Sequence, residues 1–164
     1  MKATRGLSVL AFLTLAACAE FTTLTPGVSR EQDVIARFGT PAQVQRLPDG
    51  SQVLDFPRQP EGMENWRVTL APDGTVRNVE QLVDEPTFAK VVPGLSRSQV
   101  LQLLGRPSEE KGYPNLGEDV VSWRYLEFGN RRMFFNAHFG TDGRMKYTSR
   151  NPDPSQNTGG ETDM

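Results

Sequence analysis

The sequence predicts an α+β fold of two tandem αβββ units, with short helices packed on one face of antiparallel sheets. Three observations carry this prediction. The first is an internal repeat. Pro26-Gly27-Val28-Ser29-Arg30 returns 67 residues later as Pro93-Gly94-Leu95-Ser96-Arg97, and Phe38-Gly39-Thr40-Pro41 returns 66 later as Leu104-Gly105-Arg106-Pro107. Leu70-Ala71-Pro72-Asp73-Gly74 returns 69 later as Phe139-Gly140-Thr141-Asp142-Gly143. The second is that each copy opens on helix-start signals and closes its helix with Gly-x-Pro. The third is a series of alternating apolar and polar runs after each helix, separated by Gly-containing turns. The period exceeds that of typical solenoid units, so the chain reads as a duplicated small domain. The copies span 24–83 and 91–150 and are joined through Asp84-Glu85-Pro86.

The elements follow in order. Ser29 with Gln32, and Ser96 with Gln99, have the S-x-x-Q spacing of a capping box, in which side chains satisfy the orphan amides of a helix start. Val34, Ile35 and Phe38 in the first copy, and Val100, Leu103 and Leu104 in the second, follow at helical spacing. Gly39 and Gly105 accept a left-handed backbone just past the helix end, and Pro41 and Pro107 stop continuation. Helices of about two to three turns are marginal alone and must be held by packing. In the first copy 51–57, 65–71 and 75–82 read as strands, with hairpin signals at Asp49-Gly50 and Asp73-Gly74. In the second copy 119–128, 131–139 and 144–149 read as strands, with Gly129-Asn130 and Asp142-Gly143 between them. Val121, Trp123 and Tyr125 oppose Ser122 and Arg124; Met133, Phe135, Ala137 and Phe139 oppose Phe134, Asn136 and His138. Trp66, Val68 and Leu70 likewise oppose Asn65, Arg67 and Thr69. Sheets with one apolar face are covered by helices on that side only. Residues 151–164, without an apolar cluster, read as a disordered tail.

Composition narrows the function classes. The 164 residues include one Cys, one His and a formal net charge of −2. One Cys and one His exclude a disulfide framework and a Cys/His zinc cluster, and no metal or other cofactor is expected. A Ser-His-Asp or Cys-His site would have to use His138, which has no nearby Ser or Cys pattern to activate. The slightly acidic balance gives no electrostatic reason to expect nucleic acid. The expectation is a binding or structural protein, not an enzyme.

The N-terminus adds a location. Residues 1–17 contain Lys2 and Arg5, no acid, and an apolar run from Leu7 to Leu15. A membrane span needs about 20 apolar residues, so this run reads as a secretory signal peptide. Leu15-Ala16-Ala17-Cys18 resembles the lipobox of bacterial lipoproteins, which implies cleavage before Cys18 and its acylation. Taking the 17 signal residues from 164 leaves a mature chain of 147, with residues 18–23 as anchor and linker. Two or more acyl chains anchor a soluble domain stably. Ala19, where Asp would be the inner-membrane retention signal, implies the outer membrane, periplasmic face.

A family resemblance is carried by Gly94, Leu95, Ser96, Val100, Leu103, Leu104, Gly105, Pro107, Trp123, Tyr125, Phe139, Asp142 and Gly143. This pattern resembles the SmpA/OmlA (BamE-like) domain of outer-membrane lipoproteins; the first copy matches it more loosely. Two tandem units are also similar in architecture to the β-lactamase-inhibitory protein. The first resemblance implies scaffolding or stabilising of a membrane protein assembly, with subunits of the β-barrel assembly machinery as partners. The second implies a periplasmic inhibitor that binds an enzyme through its open sheet face. On the second sheet's polar face, Phe134 and Leu126 occupy positions that should be solvated, so either a partner or a packed loop covers them. Phe134, Leu126, Arg124 and His138, with Tyr113 from the loop 108–118, are therefore the candidate partner-binding residues, and His138 reads as a surface histidine. The loop 57–64 is a further contact candidate.

Overall fold

A computed structural model describes residues 23–155. Residues 1–22, with the expected signal peptide and Cys18, and the segment 156–164 lie outside the described residues. Two consecutive units each place a short helix on a four-stranded antiparallel sheet. The first contains α1 (Glu31–Phe38), β1 (Gln43–Arg46), β2 (Gln52–Pro57), β3 (Asn65–Leu70) and β4 (Val76–Gln81). A one-turn helix, α2 (Glu85–Phe88), joins it to the second. That unit contains α3 (Arg97–Leu104), β5 (Glu109–Tyr113), β6 (Glu118–Glu127), β7 (Arg131–Gly140) and β8 (Met145–Pro152). Strands follow one another in sequence order within each sheet. The fold is α+β in two tandem units, as the repeat predicts.

Four local expectations change. Each sheet carries a fourth strand beyond the three expected, β1 and β5, at its edge. Every residue of both strands is exposed, so neither has the alternation that marks a half-buried strand. Charged Glu109, Glu110 and Lys111 instead guard a sheet edge. The first capping box is shifted by one residue: Arg30 occupies the cap and its N–H donates to Asp33, while Ser29 turns inward to accept from Thr25. In the second copy Ser96 and Gln99 form the expected box. Gly39 and Gly105 have positive φ but extended ψ, a combination essentially confined to glycine, rather than a left-handed helical turn. Finally, the segment 151–155 belongs to the fold. Strand β8 runs to Pro152, and buried Asp153 ion-pairs with Arg124 at 3.1 Å, which no apolar pattern could announce.

Each unit has its own core. Val34 and Phe38 of α1 pack on Leu54, Phe56, Val68, Leu70 and Val76. Val100 and Leu104 of α3 pack on Val121, Trp123, Phe135, Ala137, Phe139 and Met145. Each such fully buried large side chain contributes about 1.5–3 kcal/mol of transfer free energy, which holds these eight-residue helices. The joint between the copies is structural rather than a free linker. Asp84 caps α2 by accepting from the Thr87 N–H, and Phe88 stacks on Phe135 with centroids 4.0 Å apart. Arg150 lies over the Phe88 ring and makes a two-pronged pair with Glu85, both contacts at 2.7 Å.

Polar groups lock the units together. The buried Asn65 amide on β3 donates to the carbonyls of Leu104 and Arg106, each at 2.7 Å. Arg67 grips Asp55 and donates to the Gln102 carbonyl at 2.9 Å. Helix carbonyls left without intrahelical partners are thus satisfied from the preceding sheet. Strand β5 pairs with β6 only as far as Ser122. Beyond that point the buried Gln59 side chain takes both backbone groups of Arg124: it donates to the carbonyl at 2.6 Å and accepts from the N–H at 3.2 Å.

Candidate functional site

The polar face of the second sheet, opposite α3, carries a groove of about 440 Å³. Its floor comes from alternate residues of three strands: Ser122 and Arg124 of β6, Phe134, Asn136 and His138 of β7, and Ser149 and Asn151 of β8. Tyr113 and Leu116 stand on one rim and Asp153 to Ser155 on the other. Side chains at positions two apart in a strand share a face, which is why the sequence alternation finds this set.

Four of the five predicted binding residues meet here. Arg124, Phe134, His138 and Tyr113 all line the groove. Leu126 does not; it is 52% exposed and lines a separate depression formed with Pro57 and the segment 58–64. Of the two covers expected for Phe134, a partner or the chain itself, the structure supplies the second: the residue is only 4% exposed. The Arg124 guanidinium covers its ring at 5.3 Å and is itself held by Asp153 and by the Pro60 carbonyl at 2.9 Å. The cover over this aromatic is therefore the chain's own, an arginine of β6. Tyr113 is 43% exposed and free to meet an incoming surface.

His138 is half-buried rather than a freely solvated surface histidine, with its side chain 15% exposed. Its ring stacks on Tyr147 with centroids 4.1 Å apart, and Nε2 is 2.8 Å from the Ser149 hydroxyl. Glu118 stands 3.5 Å from Nδ1, accepts from the Tyr147 hydroxyl at 3.2 Å and lies 3.6 Å from Lys146. Burial alone would raise the Glu118 pKa; the Tyr147 hydrogen bond, with His138 and Lys146, outweighs burial and lowers it. The Tyr147 hydroxyl is raised, first by desolvation and then by donating to that carboxylate.

Ser149, His138 and Glu118 stand in the order of a nucleophile, a base and an orienting carboxylate. The rest of an acyl-transfer site does not accompany them. The Ser149 oxygen also receives the Asn136 amide at 3.1 Å, and Asn136 is tied to Asn151 and Ser122. The nearby backbone amides of β7 belong to the ladders with β6 and β8, whereas an oxyanion needs preorganised donors aimed at it. What the arrangement supplies is a set of fixed hydrogen-bonding groups beside aromatic rings. Among the described residues no cluster of His, Cys, Asp or Glu could hold a metal ion.

Sequence reasoning missed Glu118, Tyr147 and Ser149, because two of them lie on or beside an edge strand whose neighbours are all polar. It also missed Phe128, which is fully exposed at the β6–β7 hairpin tip. An aromatic directly before Gly129-Asn130, where a polar turn residue is expected, was the available signal.

No protein-family model matches the chain, and no curated protein matches it significantly. Among solved structures it is similar to a DUF4309 family protein, YjgB, from Bacillus subtilis, with 17% identity and a TM-score of 0.30. That likeness covers 79% of this chain and 82% of the other. It is also similar to a β-lactamase-inhibitor-like protein from Streptococcus mutans, with 9% identity and a TM-score of 0.27, over 75% of this chain and 82% of that one. At these identities the likenesses concern the fold alone. The SmpA/OmlA resemblance rests on the sequence motif.

Proposed function

We propose that this chain is a non-catalytic, lipid-anchored protein-binding module that engages a protein partner through the groove on its second sheet. The observation that carries the reading is the groove itself. It combines exposed aromatic rims at Tyr113 and Tyr147 with a floor of immobilised polar groups, and aromatic anchors beside satisfied hydrogen bonds are what protein interfaces use. An indented surface of this size suits an inserted loop, so the preferred partner is an envelope enzyme that the binding inhibits. Cys18 would hold the module at the periplasmic face of the outer membrane and raise its effective concentration near membrane-bound partners. The lipobox and the SmpA/OmlA-like motif support a second reading at the same surface, scaffolding of the β-barrel assembly machinery.

Affinity capture from detergent-solubilised membranes tests the proposal. Recovery of a hydrolase whose activity falls on binding supports inhibition; recovery of barrel-assembly subunits supports scaffolding. Either capture should be lost on Ser149→Arg, which fills the groove. Capture that survives this substitution in a folded protein would remove the groove from the account.

A further inference from the structure

The repeat reaches further upstream than its helices. Phe21-Thr22-Thr23-Leu24-Thr25-Pro26-Gly27 matches Phe88-Ala89-Lys90-Val91-Val92-Pro93-Gly94 at a shift of 67, with Phe, Pro and Gly kept and Leu against Val. The described half of this match is also a match in space. The Gly27 and Gly94 amides donate to the equivalent carbonyls of Val76 and Met145, each at 2.8 Å. Leu24 and Val91 each pack on the core of their own unit. The same shift sets Phe21 against Phe88, and Cys18 against Glu85, the first residue of α2.

In the second unit this segment completes the core. Phe88 stacks on Phe135 at 4.0 Å and meets the edge of Tyr125 at 4.9 Å, and both of those rings are buried. The first sheet carries α1 as the second carries α3, but among the described residues it has no counterpart of α2. Phe56 pairs with Trp66 in the ladder as Trp123 pairs with Phe135, so Trp66 stands in the place of Phe135. The Trp66 ring lies 5.4 Å from Phe38 of α1, yet it is only partly buried. Two residues past Phe56, Arg58 donates to the Phe38 carbonyl at 3.0 Å and is exposed where Tyr125 is buried.

We propose that residues 18–24 fold back over the first sheet as α2 folds over the second, with the Phe21 ring seated on Trp66. Leu24 is already on this core, and three residues, about 10 Å of extended chain, separate it from Phe21. Cys18 stands another three residues upstream, so the acyl chains of the proposed anchor leave the protein within about 10 Å of the docked ring. The lipid then holds the first unit directly, in place of a free linker. This last step rests on the anchor proposed above; the docking of Phe21 does not.

The test is a double-mutant cycle on the full chain, purified from membranes in detergent and unfolded in urea. Phe21→Ala should lower the unfolding midpoint, while Phe128→Ala, at the fully exposed hairpin tip, should leave it unchanged. In a Trp66→Leu background, which keeps an apolar side chain on the core, the Phe21→Ala loss should shrink about twofold or more, because residues in contact are not additive. An equal loss with and without Trp66, or a shift no larger than that of Phe128→Ala, would overturn the inference. Lipid labelling of the same preparations separates it from the anchor. A coupled Phe21→Ala loss in a chain that takes up no label overturns the anchor and leaves the docking standing.

Discussion

At the scale of single residues, Phe134 and Tyr113 separate packing from recognition. Both are aromatics of the polar face, but Arg124 seals the first and the second stays 43% exposed. Phe134→Ala should cost about 3 kcal/mol of stability, because buried phenylalanine truncation costs ~3–5 and the groove lets water relieve part of the loss. Tyr113→Ala should leave stability within about 0.5 kcal/mol and weaken partner binding by about 2 kcal/mol, or roughly thirtyfold. Denaturant titration and binding isotherms of the two variants check the contrast. Equal stability losses would place Tyr113 in the core. Asn65 makes the third case. Asn65→Ala orphans the Leu104 and Arg106 carbonyls, and a loss of about 1–3 kcal/mol is expected for buried acceptors left unpaired. A neutral result in chemical denaturation would mean that the units are held together without it.

At the scale of elements, the turns set an acid limit. Asp73 accepts from the backbone and the hydroxyl of Thr75 at the β3–β4 turn, and Asp49 accepts from Ser51 at the β1–β2 turn. These bonds, first the Thr75 amide for Asp73 and the Ser51 hydroxyl for Asp49, lower both carboxyls from 3.8. The folded chain therefore binds fewer protons than the unfolded chain near that pH. The stability they contribute is present above pH 3.8 and is lost as pH falls through the lowered folded values. Unfolding free energy measured between pH 5 and 2 should decline less steeply in Asp49→Asn/Asp73→Asn than in the parent; identical slopes would contradict the assignment. The elements also show what a sequence reveals. Both eight-residue helices and six of the eight strands were legible, because each puts one apolar face on a core and leaves a periodic trace. Strands β1 and β5 left none, since both their faces are exposed. The ordering of 151–155 rests on the β7–β8 ladder at Asn151 and Pro152, the Asp153 N–H bond to the Arg132 carbonyl and the Arg124–Asp153 ion pair, long-range contacts without any local pattern.

At the scale of the whole molecule, duplication leaves the two sheets in unlike surroundings. The first sheet spends its polar face on α3, through Asn65 and Arg67, whereas the second keeps the same face open as a groove. Alternation in β6 and β7 was enough to locate that face in the sequence. The Asp153–Ser155 rim and the partners of His138, namely Glu118, Ser149 and Tyr147, were not legible, because two of those partners arise where an edge strand pairs with the sheet. Membrane attachment belongs to this scale too. Cys18→Ser should block lipoprotein processing and lipid labelling, and normal labelling would sink the proposed anchor. The central claim is that the groove binds a protein. Its most direct measurement is capture from solubilised envelopes by the parent chain and by Ser149→Arg, with melting curves confirming that both are folded. The account predicts that the parent recovers a defined partner and Ser149→Arg loses it at an unchanged melting temperature. Equal recovery by the two folded proteins would contradict it.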